Sequence, residues 1–259
     1  MSPEGIQGRR IVVVGASASI GRALAKKAIQ QGAVVVAASR RIDRLEDLVT
    51  EAGGGSAVAV DVREPESCES LMGAAAEALG EIDAICYTAG YAPLRMMKDT
   101  TAADWSDVFA TNVSGANHVI AAALPRLARD AVVMVLSSET VGRPRTGLGA
   151  YGSSKAALEE SLNSWRTEHP EIRFCCASIG ATWPTEFGDH FDPELLTWAI
   201  SEWVAKGLFQ ERFMEADDLA HVLLDVLATL LARPGIGLEH MMIRSPTRIT
   251  AAPELPENR

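Results

Sequence analysis

Three polar residues in the second half of the chain have the types and spacing for acid–base chemistry. Tyr151 and Lys155 stand four residues apart in a helical stretch, so their side chains share one helix face. A phenol titrates near ~10, and a neighbouring ammonium favours its phenolate form. Ser138 lies shortly before them, and its hydroxyl can donate to an oxygen on which negative charge develops. This tyrosine–lysine spacing is common on ordinary helices, but its position behind a strand and a serine predicts a site that exchanges a proton with a substrate oxygen.

A glycine-flanked turn near the N-terminus predicts a site for a pyrophosphate. Residues 15–21 read Gly-Ala-Ser-Ala-Ser-Ile-Gly and join the first predicted strand to the first predicted helix. Glycine allows a tight turn and a close approach of the backbone to a ligand, and a helix N-terminus offers N–H groups to an anion. A purely structural turn is the alternative. The location in the first strand–helix turn, where dinucleotide sites are built, favours the binding site.

The end of the second predicted strand bears on the choice of dinucleotide. An NAD-preferring site usually has a carboxylate here for the ribose hydroxyls. This chain has Ser39 followed by Arg40 and Arg41, and Arg40 is suited to clamp a 2′-phosphate. The sequence therefore predicts NADP(H) in preference to NAD(H). The alternative is that both arginines are solvent-exposed residues at the start of a helix and bind no phosphate. Asp61, at the end of the third strand, is a candidate acceptor for the adenine amine or a cap of the following turn.

The elements that must position these residues alternate along the whole chain. Most of the β-branched runs are continuously apolar, as in strands that are covered on both faces. The predicted strands are residues 11–14, 33–38, 57–60, 84–87, 131–136, 172–177 and 238–243. The predicted helices are residues 20–31, 41–52, 66–79, 101–127 and 150–168, and Thr101 with Asp104 resembles a capping signal before the fourth. The alternation predicts an α/β fold, a doubly wound parallel sheet of about seven strands (Rossmann-type) with helices on both faces.

One region interrupts this rhythm without dividing the chain. Because no repeat or Pro/Gly-rich linker occurs, we predict a single domain over residues 1–259. Residues 182–215 are rich in tryptophan and phenylalanine and are predicted to form a substrate-covering lid segment, followed by another helix that ends near Arg233. Residues 245–259 are expected to form a frayed C-terminal tail.

Composition narrows the class of protein. The formal charge is −10, from 34 acidic and 24 basic residues, which disfavours a nucleic-acid-binding surface. The first ten residues lack the apolar core of a secretory signal, and no apolar run is long enough to span a bilayer. The four cysteines form no disulfide scaffold, and no C-x-x-C or H-E-x-x-H segment indicates a metal. We expect a cytoplasmic protein with no metal, no membrane association and no nucleic-acid partner.

Taken together, these segments resemble the short-chain dehydrogenase/reductase family, in its single-domain branch with a Tyr-x-x-x-Lys active site. The resemblance covers nearly the whole chain. It is carried by residues 15–21, Asp61-Val62, Ala89-Gly90, Thr111-Asn112-Val113, Ser137-Ser138 and residues 151–155. It implies a catalytic tetrad of Asn112, Ser138, Tyr151 and Lys155. It also implies further cofactor-binding positions. Together with the positions argued above, the predicted cofactor-binding residues are Gly15, Ser17, Ser19, Ile20, Gly21, Arg40, Asp61, Val62, Ala89, Gly90, Tyr151, Lys155, Gly180, Thr182 and Thr185.

The resemblance also implies a role for each member of the tetrad. Tyr151 is the general acid in reduction and the general base in oxidation. Lys155 holds the nicotinamide ribose and lowers the pKa of Tyr151. Ser138 fixes the substrate carbonyl, and Asn112 supports a water-linked proton path. The hydride moves directly between the nicotinamide and the substrate carbon.

Three departures from the family pattern fall in loops that support the cofactor. Ser19 stands where a third glycine is normal, and a serine has a stricter backbone range than glycine. Tyr87-Thr88-Ala89-Gly90 stands where Asn-Asn-Ala-Gly is usual after the fourth strand, so an asparagine that normally braces that region is lost. Residues 179–182 read Ile-Gly-Ala-Thr where a Pro-Gly pair is expected. These changes threaten cofactor affinity more than the chemistry.

The aromatic residues of the lid segment indicate an apolar or bulky carbonyl or alcohol as the small-molecule substrate. The alternative is that Trp183, Phe187 and their neighbours pack as ordinary core or at a subunit interface. Residues after the fourth strand are candidates for another wall, namely Tyr91, Leu94, Met96 and Met97. Arg143 and Arg145 are candidates for binding an acidic group, or are simply solvated loop residues.

The leading functional prediction is an NADP(H)-dependent oxidoreductase that interconverts a carbonyl and a secondary alcohol. The family resemblance implies a homodimer or homotetramer built on the helices that carry Asn112 and Tyr151. A non-catalytic NADP(H)-binding sensor or scaffold protein of the same fold is the alternative. A nucleotide-sugar epimerase or dehydratase would use a similar tyrosine and lysine, but it usually needs a longer C-terminal substrate domain than this chain has.

Overall fold

A parallel seven-stranded sheet forms the centre of the computed structural model, which describes residues 5–208, 210 and 212–246. The strands of the chain are β1 (Arg10–Val14), β2 (Val34–Ser39), β3 (Ser56–Ala59), β4 (Ile82–Tyr87), β5 (Leu127–Ser138), β6 (Arg173–Ile179), β7 (Thr182–Trp183), β8 (Met214–Glu215) and β9 (His240–Ile243). The sheet order is β3-β2-β1-β4-β5-β6-β9, while β7 and β8 pair separately. The predicted doubly wound, Rossmann-type fold class is confirmed, and each of the seven predicted strands lies in the large sheet.

Helices cover both faces of this sheet. They are α1 (Ser19–Gln30), α2 (Ile42–Ala52), α3 (Pro65–Leu79), α4 (Ala102–Phe109), α5 (Gly115–Ala123), α6 (Gly149–Glu168), α7 (Pro193–Ala205) and α8 (Ala216–Ala232). Val13 packs in a core layer with α1 and α8, whereas its neighbours Val12 and Val14 pack in a second layer with α3, α5 and α6. Because successive strand residues point to opposite faces and both faces are covered, the strands read as continuous apolar runs. No helix within the described ranges is long and apolar enough to cross a bilayer.

The predicted single helix over residues 101–127 is wrong, because four short elements occupy that stretch. After α4, a π-helical turn spans Ala110–Ser114; α5 follows, and a 3₁₀ turn over Leu124–Arg126 ends where β5 begins. The π turn offsets the two helices, and Pro125 lacks the N–H needed to continue α5. The predicted capping signal is confirmed, since Thr101 Oγ1 accepts from Asp104 N at 3.1 Å and Thr101 N donates to the Asp104 carboxylate at 2.9 Å.

The lid segment is anchored at both ends by the pairing of β7 with β8. Between these strands, α7 begins after Asp192, whose side chain accepts from Leu195 N at 2.8 Å. Phe191 and Trp203 pack in a third apolar cluster with Leu148 and Tyr151. The described residues of this segment therefore rest on the edge of the sheet where the site residues converge. Phe209 and residues 247–259, which make up most of the predicted tail, lie outside the described residues.

Candidate active site

One cleft of about 510 Å³ collects nearly all the predicted site residues. It lies at the carboxyl ends of the strands, beside the point where the strand order reverses between β1 and β4, as is usual for ligand sites in open α/β sheets. Every predicted catalytic and cofactor-binding residue lines it except Asn112. The lining also includes residues that the sequence did not single out as binding residues, among them Arg41, Thr88, Glu186, Phe187 and His190.

The turn over residues 15–21 is held against the end of β4. Gly15 has φ +92°, a backbone conformation that favours glycine, and a Cβ there would lie 2.6 Å from Ala89 N. A Cβ on Gly21 would lie 2.3 Å from Thr88 Oγ1 and 2.4 Å from Gly15 O. Both glycines are therefore required by close backbone packing.

The departures at Ser19 and Thr88 each have a structural counterpart. Ser19 has φ +54°, so it adopts the left-handed conformation that a glycine would take there, and its hydroxyl accepts from Glu186 N at 2.9 Å. Thr88 Oγ1 donates to Val14 O at 2.8 Å and lies against both glycines of the turn. The threonine hydroxyl thus joins the end of β4 to the end of β1, in the segment where an asparagine was expected.

The end of the cleft that is formed by the residues after β2 contains two arginines with different surroundings. Arg41 donates from Nε and Nη2 to Ser17 Oγ, at 3.2 and 2.9 Å, and its backbone N donates to Ser39 Oγ at 3.1 Å. Arg40 is exposed and forms no ion pair with another residue in the described part of the chain. Sequence reasoning singled out Arg40 and missed the contact of Arg41 with Ser17. The neighbouring position of the two arginines was the available signal.

Asp61 lines the same end of the cleft and is engaged by Arg63. The Asp61 carboxylate accepts from the Arg63 side chain and, at 3.0 Å, from Arg63 N. These contacts hold the pKa of Asp61 at about 2, chiefly through the side-chain hydrogen bond with Arg63. The carboxylate therefore caps the turn after β3, the alternative that the sequence left open, and it also lines the cleft.

Ser138 and Tyr151 meet at the other end of the cleft. Ser138 Oγ accepts from Thr140 N at 3.2 Å and from Thr140 Oγ1 at 3.0 Å. Burial raises the pKa of Tyr151 to about 12, against the lowering effects of a hydrogen bond with Ser138 and the charge of Arg145. The phenol is consequently protonated at neutral pH and available as a proton donor.

Lys155 is buried one helical turn after Tyr151. Its ammonium donates to Leu136 O at 2.7 Å and lies 5.8 Å from the centre of the Tyr151 ring. Burial lowers the pKa of Lys155 to about 8. The structure differs from the expectation that Lys155 lowers the pKa of Tyr151. The groups that lower this pKa are Ser138 and Arg145, and burial outweighs both effects.

Asn112 lies in the π turn and braces the loop after β4. Its Oδ1 accepts from Tyr91 N at 2.8 Å, and its Nδ2 donates to Tyr91 O at 2.8 Å and to Ser154 Oγ at 2.9 Å. The side chain is fully buried and does not line the cleft. It thereby positions Gly90, where a Cβ would lie 3.6 Å from Asn112 Oδ1 and 3.8 Å from Lys155 Nζ. The expected part of Asn112 in a proton path stays a prediction.

Aromatic side chains surround the Tyr151 end of the cleft. Phe187 packs edge-on against Tyr151, with ring centres 5.2 Å apart, and His190 stacks on Tyr91 at 5.4 Å. Other cleft-lining residues from this region are Leu148, Trp203 and Phe213. Of the wall proposed after β4, only Tyr91 lines the cleft; Leu94 packs in the third apolar cluster, and Met97 is exposed. Trp198 is also exposed, on the outer side of α7.

Arg145 forms an internal ion pair beside the cleft. Its guanidinium lies 2.5 Å from the Glu139 carboxylate and also donates to Leu208 O at 2.7 Å. Both side chains are largely buried, and Arg145 lies over the Trp203 ring at 5.7 Å. The charge of Arg145 is therefore already compensated, which disfavours its candidacy as an anchor for an acidic substrate. Arg143 is exposed and does not line the cleft.

One cluster of ligand-type side chains lies behind Lys155. Glu159, Cys176 and His240 bring three potential ligand atoms within 4.8 Å of one another. Hydrogen bonds already engage this group, because Glu159 accepts from Ser137 at 2.6 Å and from Ser178 at 3.0 Å, and Ser178 Oγ lies 2.9 Å from His240 Nε2. The cluster is thus a satisfied polar network, and the expectation that the protein holds no metal stays a prediction.

Comparisons with known proteins agree with this geometry. The family model described as short chain dehydrogenase matches residues 9–194. An uncharacterized oxidoreductase of Listeria monocytogenes is 31% identical over 169 residues, which cover 63% of this chain and 68% of the relative. A glycine betaine reductase of Emericella nidulans is 34% identical over 173 residues, or 64% of this chain, but the match spans only 14% of that relative's length. The structure of a short chain dehydrogenase from Burkholderia cenocepacia in complex with NADP superimposes with a TM-score of 0.78 at 24% identity, covering 93% of this chain and 98% of that one.

Proposed function

The chain belongs to the short chain dehydrogenase family of oxidoreductases, and from that premise we propose that it uses NADP(H) to interconvert a carbonyl and a secondary alcohol by direct hydride transfer. The observation that carries the proposal is the convergence of Ser138, Tyr151 and Lys155 at one end of a single cleft whose other end is the glycine turn. A proton donor beside a dinucleotide groove is the arrangement that carbonyl reduction requires.

The residues at the glycine turn fit a dinucleotide. Gly15 and Gly21 leave no room for a Cβ, because the turn packs closely against the residues after β4. The same turn lines the cleft at the start of α1, where helix N–H groups suit a pyrophosphate. The residues that would hold the group are those of the turn, together with Val62, Ala89, Gly90, Gly180, Thr182 and Thr185 along the strand ends. When bound, the nicotinamide supplies the hydride in reduction and accepts it in oxidation.

Tyr151 is the proton donor to the carbonyl oxygen in the proposed reduction. Its pKa of about 12 keeps the phenol protonated at neutral pH, so the acid form is fully populated for reduction. Oxidation runs the same step backwards, with the phenolate accepting the alcohol proton, and is therefore favoured by alkaline pH. Ser138 has accepted two hydrogen bonds from Thr140, which leaves its own O–H to donate to the substrate oxygen or to Tyr151.

Lys155 supplies a positive charge near Ser138 and Tyr151. With a pKa of about 8, it is mostly an ammonium at neutral pH, and its hydrogen bond to Leu136 O fixes its position. We propose that it binds the nicotinamide ribose. Asn112 acts indirectly: it braces the loop that holds Gly90 beside Lys155.

The preference for NADP(H) over NAD(H) is supported by the residues after β2. Ser39 occupies the position where an NAD-preferring site usually has a carboxylate, and Arg40 and Arg41 follow it at the adenosine end of the cleft. Arg40 is exposed and lines the cleft together with Ser17 and Ser39, so its guanidinium is suited to a 2′-phosphate. The complex of the Burkholderia cenocepacia protein with NADP is consistent with this choice.

The proposed substrate is an apolar or bulky ketone or secondary alcohol. The surface beside Tyr151 is mainly apolar and is formed by Phe187, Tyr91, Leu148 and Trp203. The charge of the nearby Arg145 is compensated by its ion pair with Glu139. We further propose a homodimer or homotetramer built on α5 and α6, the family arrangement. A cytoplasmic location and the absence of nucleic-acid and membrane partners stay predictions from the sequence.

The test is turnover of NADPH by the purified protein against a panel of neutral and carboxylated ketones. We expect activity that favours bulky neutral ketones and that falls at least 100-fold in Tyr151→Phe, which removes the proton donor but retains the ring. Equal, background-level oxidation by wild type and variant, with NADPH binding intact in both, would instead favour the non-catalytic sensor or scaffold. A strong preference for carboxylated ketones would contradict the apolar substrate.

A further inference from the structure

The carboxylate of Glu186 bridges two arginines at the adenosine end of the cleft. Glu186 Oε2 lies 2.8 Å from Arg41 Nη1, and Oε1 forms a second ion pair with Arg44 of α2. The backbone N of Glu186 donates to Ser19 Oγ, at the start of α1. The residue is thus fixed through both its main chain and its side chain, although it lies in the segment between β7 and α7.

The Glu186 carboxylate lines the same part of the cleft as the groups that are expected to bind a 2′-phosphate. Ser17, Ser39, Arg40, Arg41 and Glu186 all line one end of the cleft. Arg41 is the shared member, because the guanidinium that contacts Ser17 through Nε and Nη2 contacts Glu186 through Nη1. An anion bound beside Ser17 would therefore lie near a carboxylate that already uses part of the same guanidinium.

The ionisation state of Glu186 is settled by its two partners. Partial burial raises its pKa, but the hydrogen bonds from Arg41 and Arg44 outweigh that effect, so the pKa is lowered and the carboxylate is charged at neutral pH. Roughly two fifths of each of the side chains of Glu186 and Arg41 is exposed, at 38% and 42%. Exposed ion pairs contribute little to stability, so a phosphate can compete for the guanidinium.

We propose that Glu186 sets how strongly the site prefers NADP(H) over NAD(H), by competing with the 2′-phosphate for Arg41. This inference rests on the proposed function. A phosphate monoester carries up to two negative charges, and a fixed carboxylate nearby both repels it and neutralises a cation that would bind it. NAD(H) lacks that phosphate, so its affinity is independent of Glu186. The chain consequently has a smaller preference for NADP(H) than its arginines alone would provide.

The experiment is a fluorescence titration of the purified full chain with NADPH and, separately, NADH. We expect Glu186→Gln to tighten NADPH binding about 3- to 10-fold, the effect of removing one partly screened charge, and to leave the NADH Kd within about twofold. Glu186→Ala, which cannot replace the hydrogen bonds, should likewise tighten NADPH binding and leave the NADH Kd within about twofold. Glu51→Gln is the matched control, because Glu51 also bridges two cations, Arg22 and Lys26, but does not line the cleft. It should change neither Kd.

A second variant identifies the competed group. Arg41→Ala should weaken NADPH binding more in the Glu186→Gln background than in wild type, because only there is the guanidinium free for the phosphate. An unchanged ratio of the NADPH and NADH Kd values in Glu186→Gln overturns the inference while leaving the proposed function intact. Weaker NADPH binding in that variant overturns it also, since Glu186 would then position Arg41 for the phosphate. Failure of wild type to bind either nucleotide overturns both the proposed function and the inference.

Discussion

Replacing Gly21 with alanine adds one methyl group at the tightest point of the proposed dinucleotide site. The new Cβ would lie 2.3 Å from Thr88 Oγ1 and 2.4 Å from Gly15 O, whereas carbon–oxygen contacts in proteins are usually beyond about 3.2 Å. The threonine side chain can rotate away, but the Gly15 carbonyl is backbone and must shift by about 1 Å. Overpacking of this kind costs about 1–3 kcal/mol, against about 0.5–1 kcal/mol gained from the better helix propensity of alanine.

We therefore expect Gly21→Ala to lower the free energy of unfolding by about 1–2 kcal/mol, which corresponds to a fall in Tm of roughly 2–8 °C for a chain of this size. The same shift moves the turn that would hold the pyrophosphate, so NADPH affinity should fall at least tenfold. Gly73→Ala is the matched control, because Gly73 is also within a helix but a Cβ there meets nothing within 4 Å. It should raise the free energy of unfolding by about 0.5–1 kcal/mol and leave NADPH binding unchanged.

The measurements are thermal and urea unfolding and a fluorescence titration with NADPH on both variants. A second change separates the two close contacts of the added methyl group. Thr88→Ala in the Gly21→Ala background removes Thr88 Oγ1 but leaves the Gly15 carbonyl in place, so it should not restore NADPH affinity. Wild-type stability and affinity in Gly21→Ala, or full rescue by Thr88→Ala, would refute the backbone contact as the cause.

Two further predictions concern ionisable groups. The Lys155 ammonium, with a pKa of about 8, is present below that pH and is lost as the pH rises through it. We therefore expect kcat/KM for ketone reduction to be level up to about pH 8 and then to fall. This fall should disappear in a slower Lys155→Met variant, and an unchanged fall in that variant would assign it to another group. Asp83 accepts from Arg10 through both side-chain and backbone N–H groups, at 2.7–3.0 Å, so Asp83→Asn should cost about 1–3 kcal/mol in urea unfolding at neutral pH. Arg10 lowers the pKa of Asp83 against the effect of burial, so this contribution is present above the unfolded-state pKa and lost as pH falls; a penalty that persists fully in acid would contradict the ion pair.

The sheet could be predicted from the sequence because its strands are covered on both sides. Val12, Val13 and Val14 divide between two core layers, which leaves an uninterrupted apolar run as the signal. The stretch over residues 101–127 could not be predicted in the same way, because apolar spacing is similar in an α-helix and in helices joined by a π turn. That turn exists where Asn112 reaches the Tyr91 backbone, a contact between distant parts of the chain.

The candidate site was predictable where residue spacing decides the geometry. Tyr151 and Lys155 share a helix face, and both line the cleft with Ser138. Their pKa values were not predictable, because burial, which the sequence does not give, dominates both shifts. Long-range partners were equally inaccessible: Glu186 meets Arg41 across most of the chain, and no local pattern indicates which of two adjacent arginines contacts Ser17.

In the proposed reaction, a carbonyl carbon receives hydride from NADPH while Tyr151 delivers the proton to the carbonyl oxygen. The most direct measurement uses NADPH that carries deuterium at both hydrogen positions of the reactive carbon of the nicotinamide ring, with a bulky neutral ketone, and mass spectrometry of the product. We expect an alcohol with one deuterium on its carbinol carbon in the wild-type reaction, and almost no labelled alcohol with Tyr151→Phe. Unlabelled alcohol, or equal labelling by both proteins, would contradict the proposed reaction.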